Sequence, residues 1–261
     1  ASEEDLNWKL PEERFSREAI GEFRDYQEEV PIQYVNTINQ DLVLSAAEGL
    51  ASSQMDINAL LTLYRRAPDA GLFNGLQNMV IDKFPSPVSI QIRDLFSPEA
   101  CAHGRLRLRE LNEVYLTIAQ LLAAIAMANL WEEILEMGAF QPKSNFIIRP
   151  EYKKDLREYL YLNEESARHF DYIWLLSTVH RILEDNNAMP FLQEISSITG
   201  LLRTDKTTYG AYRFLEQELR QRLLRQDILA GEVAALCQDA EKQLGVLLKT
   251  CGFLSAYEFI S

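Results

Sequence analysis

Glycine is scarce in this chain, eleven in 261 residues, and cysteine is scarcer, with three. β architectures are built on tight turns and alternating β-branched runs, and both are thin here, so helices joined by short connections are expected. The cysteines, Cys101, Cys237 and Cys251, are far apart and odd in number. They offer no disulfide framework and no paired CxxC metal knuckle, and unpaired thiols suit a reducing, cytoplasmic setting. Positive charge is short too: 26 Lys and Arg against 39 Asp and Glu leave a formal net charge of −13. Phosphate backbones and anionic membranes repel such a surface, which speaks against both as partners. The acidic N-terminus also lacks the basic and then apolar regions of a secretory signal.

The sequence is equally poor in the motifs that carry common chemistry. It holds no GxxxxGK[ST] and no GxGxxG, so neither phosphate-cradling loop is present. GxSxG and HExxH are missing as well. A di-iron bundle needs Glu-x-x-His pairs, but the residues three before His103, His169 and His180 are Ala100, Ser166 and Ser177. An Arg-x4–6-His ribonuclease spacing is absent at all three. No metal and no cofactor is expected.

Against these gaps stands one long apolar run, Leu108 to Ile134. It contains no Gly or Pro and is dense in Ala and Leu, the strongest helix formers. Leu108, Leu111, Tyr115, Ile118 and Leu122 keep helical spacing, and from Thr117 to Trp131 the apolar character spreads around the circumference. A helix apolar all round is central in a fold or lies in a membrane. The apolar stretch of about 15 residues, broken by Gln120 and Asn129, falls short of the ~20 a bilayer needs. A buried central helix is the reading, with Ile118, Leu122, Ile125 and Leu130 almost fully covered.

Hydrophobic residues at 47% and charged residues at 25% place the whole chain among globular proteins rather than disordered ones. Apolar periodicity and stop signals predict helices over Pro11–Glu29, Gln33–Ala51, Asp56–Arg66 with Asp56 as N-cap, and Asp69–Lys83. Val88–Phe96 reads as a short helix or an extended connector, and Ser97-Pro98-Glu99 as a helix start. In the second half, helices are expected over Glu151–Tyr161, Asn163 to about Glu184, Pro190–Leu202, Thr207–Gln226 and Ile228–Thr250. Asn145–Arg149 is a lone strand or a strap over the core. The fold expected is therefore all-α and irregular, about eight to ten helices around the 108–134 helix. It is one domain, 1–261, or two lobes, 1–140 and 150–261, hinged at 139–150.

Two sets of residues stand out as candidate sites. On one predicted helix His169 and His180 share a face, about 16.5 Å apart by the rise per residue. Glu165 and Glu184 lie at i, i+4 from them. They are the only candidates for acid–base catalysis, beside the simpler reading of two helix-surface pairs. The arginines at 105, 107 and 109 and at 213, 220, 222 and 225 are mixed with acids, so a solvated, ion-paired face is expected. A local anion patch and docking against the acidic N-terminal segment are the alternatives.

The two ends form the second set. The first 30 residues carry ten acids against four bases, a face suited to steering a basic partner through Glu22, Asp25 and Glu29. The last ten, GFLSAYEFIS, are apolar. They either pack on their own domain, continue into a further domain, or enter a partner groove through Phe253, Tyr257 and Phe259. A non-catalytic interaction or regulatory module is the functional expectation, its partner another protein or the rest of a longer chain. A helical enzyme with a dispersed His/acid site, or an effector controlled by a larger machine, is the alternative. Mobility shift with single- and double-stranded DNA and RNA at ~150 mM salt should show no complex below the micromolar range; a tighter complex with a steep salt slope would reverse the charge argument.

Overall fold

A computed structural model of the chain describes residues 37–135 and 145–257. Every regular element among them is helical, with no strand. The all-α expectation therefore holds. The predicted helix over Pro11–Glu29 lies outside the described residues.

The first half is a series of short helices started by local signals. After a 3-10 turn at Thr37–Asn39 come α1 (Gln40–Leu50), α2 (Met55–Arg66) and α3 (Ala70–Lys83). Asp69 caps α3, accepting from the amides of Gly71 at 2.8 Å and Leu72 at 3.1 Å, so two donors orphaned at the helix start are satisfied. Asp56 does not cap α2 as expected. Gln54 takes that place, and Asp56 sits in the first turn, pairing with Lys83 at 3.0 Å. The ambiguous segment after Pro85 is helical, α4 (Ser86–Leu95), with Pro87 in the first turn where its missing N–H costs nothing. Ser97-Pro98 starts only a 3-10 turn over Pro98–Ala100.

Gly104 then opens α5 (Arg105–Ile134), about 45 Å long by the rise per residue. This helix packs against α4 on one side and against elements of the second half on the other. Ile118, Leu122 and Leu130 are fully covered, at 0%, 0% and 1% exposure. Ile125 is only half-buried, and Gln120, Ala124, Ala128 and Trp131 form an exposed stripe. The helix is therefore not covered all round. Alanine fills the outer stripe where a polar residue would usually mark it, which is why the periodicity faded there. By length and composition α5 could cross a membrane, but 56% of its most apolar window is buried inside the fold.

In the second half lie α6 (Pro150–Leu160), α7 (Glu164–His169), α8 (Tyr172–Asp185), α9 (Gln193–Thr204), α10 (Lys206–Arg213), a π turn (Phe214–Arg220), α11 (Gln221–Arg225) and α12 (Val233–Thr250). The helix expected from Asn163 to Glu184 is two helices. Phe170 and Asp171 turn extended between them, and the Asp171 carboxylate starts α8 by accepting from the Trp174 amide at 2.8 Å. Ahead of α6, residues 145–149 form a strap. Phe146 and Ile148 pack on the core while Ile147 faces out at 66% exposure. The Asn186 side chain substitutes for a neighbouring strand: it accepts from Ile147 N–H at 2.7 Å and donates to Ile147 C=O at 2.8 Å.

The two ends of the described chain meet at α1. A Cβ on Gly49 would stand 2.4 Å from the Lys249 carbonyl oxygen, and one on Gly252 only 2.3 Å from the Gly49 carbonyl carbon. Backbone therefore lies on backbone where α1, α12 and the closing 3-10 turn (Gly252–Ala256) cross. Leu122→Asp should remove more than ~3 kcal/mol of stability, since it leaves an unpaired charge in the core. Ile125→Asp, half-exposed, should cost clearly less; thermal denaturation of the two variants checks the order.

Candidate functional site

The break at Phe170–Asp171 separates the two histidines onto different helices. His169 ends α7, exposed like Glu165, and the two form no bond. His180 is buried in α8 at 6% exposure. Its Nε2 lies 3.0 Å from Ser196 Oγ of α9, and its Nδ1 lies 3.4 Å from Glu184 Oε2. The predicted His180–Glu184 neighbours thus come together, and Arg203 approaches the same carboxylate at 3.5 Å. Burial, aided by Arg203, pushes the His180 imidazole below its ordinary value despite Glu184. A neutral histidine tying α8 to α9 is a structural group. The face shared by His169 and His180 does not exist.

His103, half-buried, faces a groove. It lines a groove between α1 and α12 of about 860 Å3, together with Asp41, Ser45, Glu48, Asp239 and Glu241. Its Nε2 is 3.2 Å from the Glu241 carboxylate, which also accepts from Arg107 Nε. Arg107 has no exposed surface. Its Nη1 donates to Ala100 C=O at 2.9 Å and Leu95 C=O at 3.4 Å, and its Nη2 to Asn39 Oδ1 at 2.9 Å and Ile38 C=O at 3.5 Å. All five guanidinium donors are placed. The solvated face expected for residues 105–109 is therefore corrected at its middle member. The signal was present: Arg107 leads Leu111, Val114 and Ile118 along one helical face, and all three are buried.

A second polar cluster fills the seam around the π turn. Glu216 and Arg220 are buried at 6% and 2% exposure, so the second arginine run is not wholly a solvated face either. Arg220 Nη1 donates to both Glu216 oxygens, at 2.7 and 2.9 Å. Tyr115 of α5 donates to Glu216 at 2.8 Å, and Gln221 at 3.1 Å. Arg220 Nη2 reaches the Arg168 carbonyl at 2.6 Å. Beside them Tyr212 donates to Asp171 at 2.5 Å. Burial, then the neighbouring carboxylates, pushes both phenols up, Tyr115 and Tyr212 alike. Burial also raises Asp171, against the pull of its hydrogen bonds.

Above this cluster runs a shallow apolar groove of about 480 Å3. Its floor is Gln120 and Ala124 from the outer stripe of α5; its walls are Tyr159, Leu160 and Leu162 on one side and Ala167 and Tyr172 on the other. Leu160 is 54% exposed and Tyr161 beside it 79%. Of the C-terminal residues singled out, Phe253 and Tyr257 are half-buried. Tyr257 donates to Glu194 at 2.9 Å, its ring meets Phe253 edge-on, and both side chains pack against the core of their own chain. Glu22, Asp25, Glu29 and Phe259 lie outside the described residues.

No described group of three or more His, Cys, Asp or Glu converges as a metal site. Burial pushes Cys237 up to about 11 and Cys251 up to about 12, so neither is a thiolate near neutral pH. No family model, curated protein or solved structure matches the chain significantly. Arg107→Ala should destabilise by ~3–5 kcal/mol, because it leaves Glu241 and four acceptors without their donor. Arg107→Lys, whose three donors cannot reach five directions, should recover only part of that in urea unfolding.

Proposed function

We propose that this protein is a non-catalytic interaction module that holds an amphipathic helix with basic flanks in the groove between α5 and the α6–α7 connection. The groove itself carries this reading: a floor of Gln120 and Ala124, aromatic walls, and a large apolar residue, Leu160, that lines it while 54% exposed, with exposed Tyr161 next in sequence. Large exposed apolar side chains around a concave patch are the usual anchors of an interface. A net charge of −13 favours basic flanks on the partner and speeds its encounter. Three free thiols fit a reducing compartment.

A second reading, acid–base chemistry in the α1–α12 groove, has one specific observation in its favour. His103 is oriented by Glu241, which is itself fixed by a buried arginine. That is a base with its orienting group, in an open groove.

One experiment separates the two. Partners captured from native extract by the wild-type chain are remeasured with purified components against Leu160→Asp and His103→Ala. Leu160→Asp should weaken a groove partner at least tenfold with an unchanged melting curve, and His103→Ala should leave it alone. Equal capture by wild type and Leu160→Asp sinks the groove reading, and loss of the cellular phenotype in folded His103→Ala promotes the enzyme.

A further inference from the structure

The cluster beneath the groove holds more negative than positive charge. Arg220 is the one cation in it, and its Nη1 is spent on Glu216 and its Nη2 on the Arg168 carbonyl. Asp171 is left with neutral donors only, the Trp174 amide at 2.8 Å and the Tyr212 hydroxyl at 2.5 Å. The charged and titratable groups that face it are Tyr212 from α10, Glu216 and Arg220 from the π turn, and Tyr115 of α5, which reaches the same Glu216. A half-buried carboxylate without a cation of its own is costly to keep ionised.

The position of Asp171 gives that surplus charge a structural consequence. It lies in the junction between α7 and α8, which three ties fasten: Arg220 to the Arg168 carbonyl, Tyr212 to Asp171, and the Tyr172 hydroxyl to the Ala167 carbonyl at 3.3 Å. Ala167 and Tyr172 are one wall of the apolar groove. The π turn that supplies Arg220 is itself a local departure from α geometry, of the sort found where a helix is shaped for a function.

We propose that this cluster is a proton-operated latch, in which Asp171 takes a proton from water as pH falls and the α7–α8 junction then tightens on α10 beneath the groove. The protonated carboxyl still accepts from the Trp174 amide through its carbonyl oxygen, and its hydroxyl supplies a donor toward Tyr212. The surplus charge is gone, the Trp174 bond is kept, and the Tyr212 bond is kept with its direction reversed. The raised Asp171 value agrees in sign. A carboxyl that binds its proton more tightly in the fold adds stability that is present below the ordinary value of about 3.9 and lost as pH rises through its folded value. The latch stands whether or not the groove is occupied.

Asp171→Asn keeps the cap through its Oδ1, presents an Nδ2 donor to the Tyr212 oxygen as the protonated acid would, and removes the charge. In urea, its unfolding midpoint should exceed that of wild type at pH 7.5, and the gap should narrow as pH falls through the titration of the Asp171 carboxyl. His180 titrates with the opposite sign but is common to both proteins and cancels in the difference. Amide exchange over Ser166–Trp174, corrected for the intrinsic rate, should slow in wild type as pH falls through the titration of the Asp171 carboxyl and not in Asp171→Asn. In labelled wild-type protein the Asp171 carboxyl carbon should titrate above the ordinary aspartate range. A midpoint gap constant across the pH range, or a carboxyl titrating at or below about 3.9, overturns the latch. If Asp171→Asn fails to fold, the wild-type carboxyl titration decides alone.

Discussion

A guanidinium removed from water must find acceptors for five N–H bonds, and the region around the start of α5 is arranged to offer them to Arg107. They come from the turn before α1, the end of α4, the 3-10 turn that follows it, and α12. These segments are far apart in sequence, and one buried side chain joins them. A buried ion pair of this type adds little net stability against an apolar replacement, but its loss is severe because the remaining partners are stranded. What it adds is selectivity: compact arrangements that misplace one segment leave a buried charge or a carbonyl unpaired.

The π turn repeats the device in the second half. Arg107 and Arg220 each hold a carboxylate and backbone carbonyls from another segment, and each contacts a residue that lines a groove, Glu241 and Ala167 respectively. The two differ in balance. Arg107 faces one acid, Glu241, with His103 beyond it at the rim of an open groove. Arg220 stands among two acids and two phenols under an apolar groove. One site is a clamp with a histidine at its edge; the other is a clamp with a proton's worth of charge to spare.

Helices and their stops were readable because each depends on neighbours within a turn or two. Asp69 before an apolar run and Asn163 before two acids act locally, and the structure uses both. The break at Asp171 was missed because Tyr172 to Asp185 keeps the same apolar rhythm as the segment before it, and Asp in mid-pattern reads as a surface residue. The buried arginines were missed for a related reason. Charge is assigned to water by default, and only the phase of Arg107 with Leu111 and Val114 argued otherwise. The grooves were not legible at all, since their walls come from helices that sequence periodicity cannot place side by side. His103 has Glu99 four positions before it, yet the acid that it meets is Glu241, 138 positions away.

The contact between the two glycine-bearing segments sets an order on synthesis. α1 is closed by α12 and the turn after it, and its Glu48 pairs with Lys249, 201 positions later. Translation at roughly 5–20 residues per second needs about 10 to 40 s to cover that distance. Through that interval Leu42, Val43, Ala46 and Leu50, all buried in the finished protein, are without the helix that covers them. The earliest apolar face of the described fold is among the last to be closed, so the nascent chain depends on whatever shields hydrophobic segments near the ribosome, and a chain truncated before residue 233 keeps that face open.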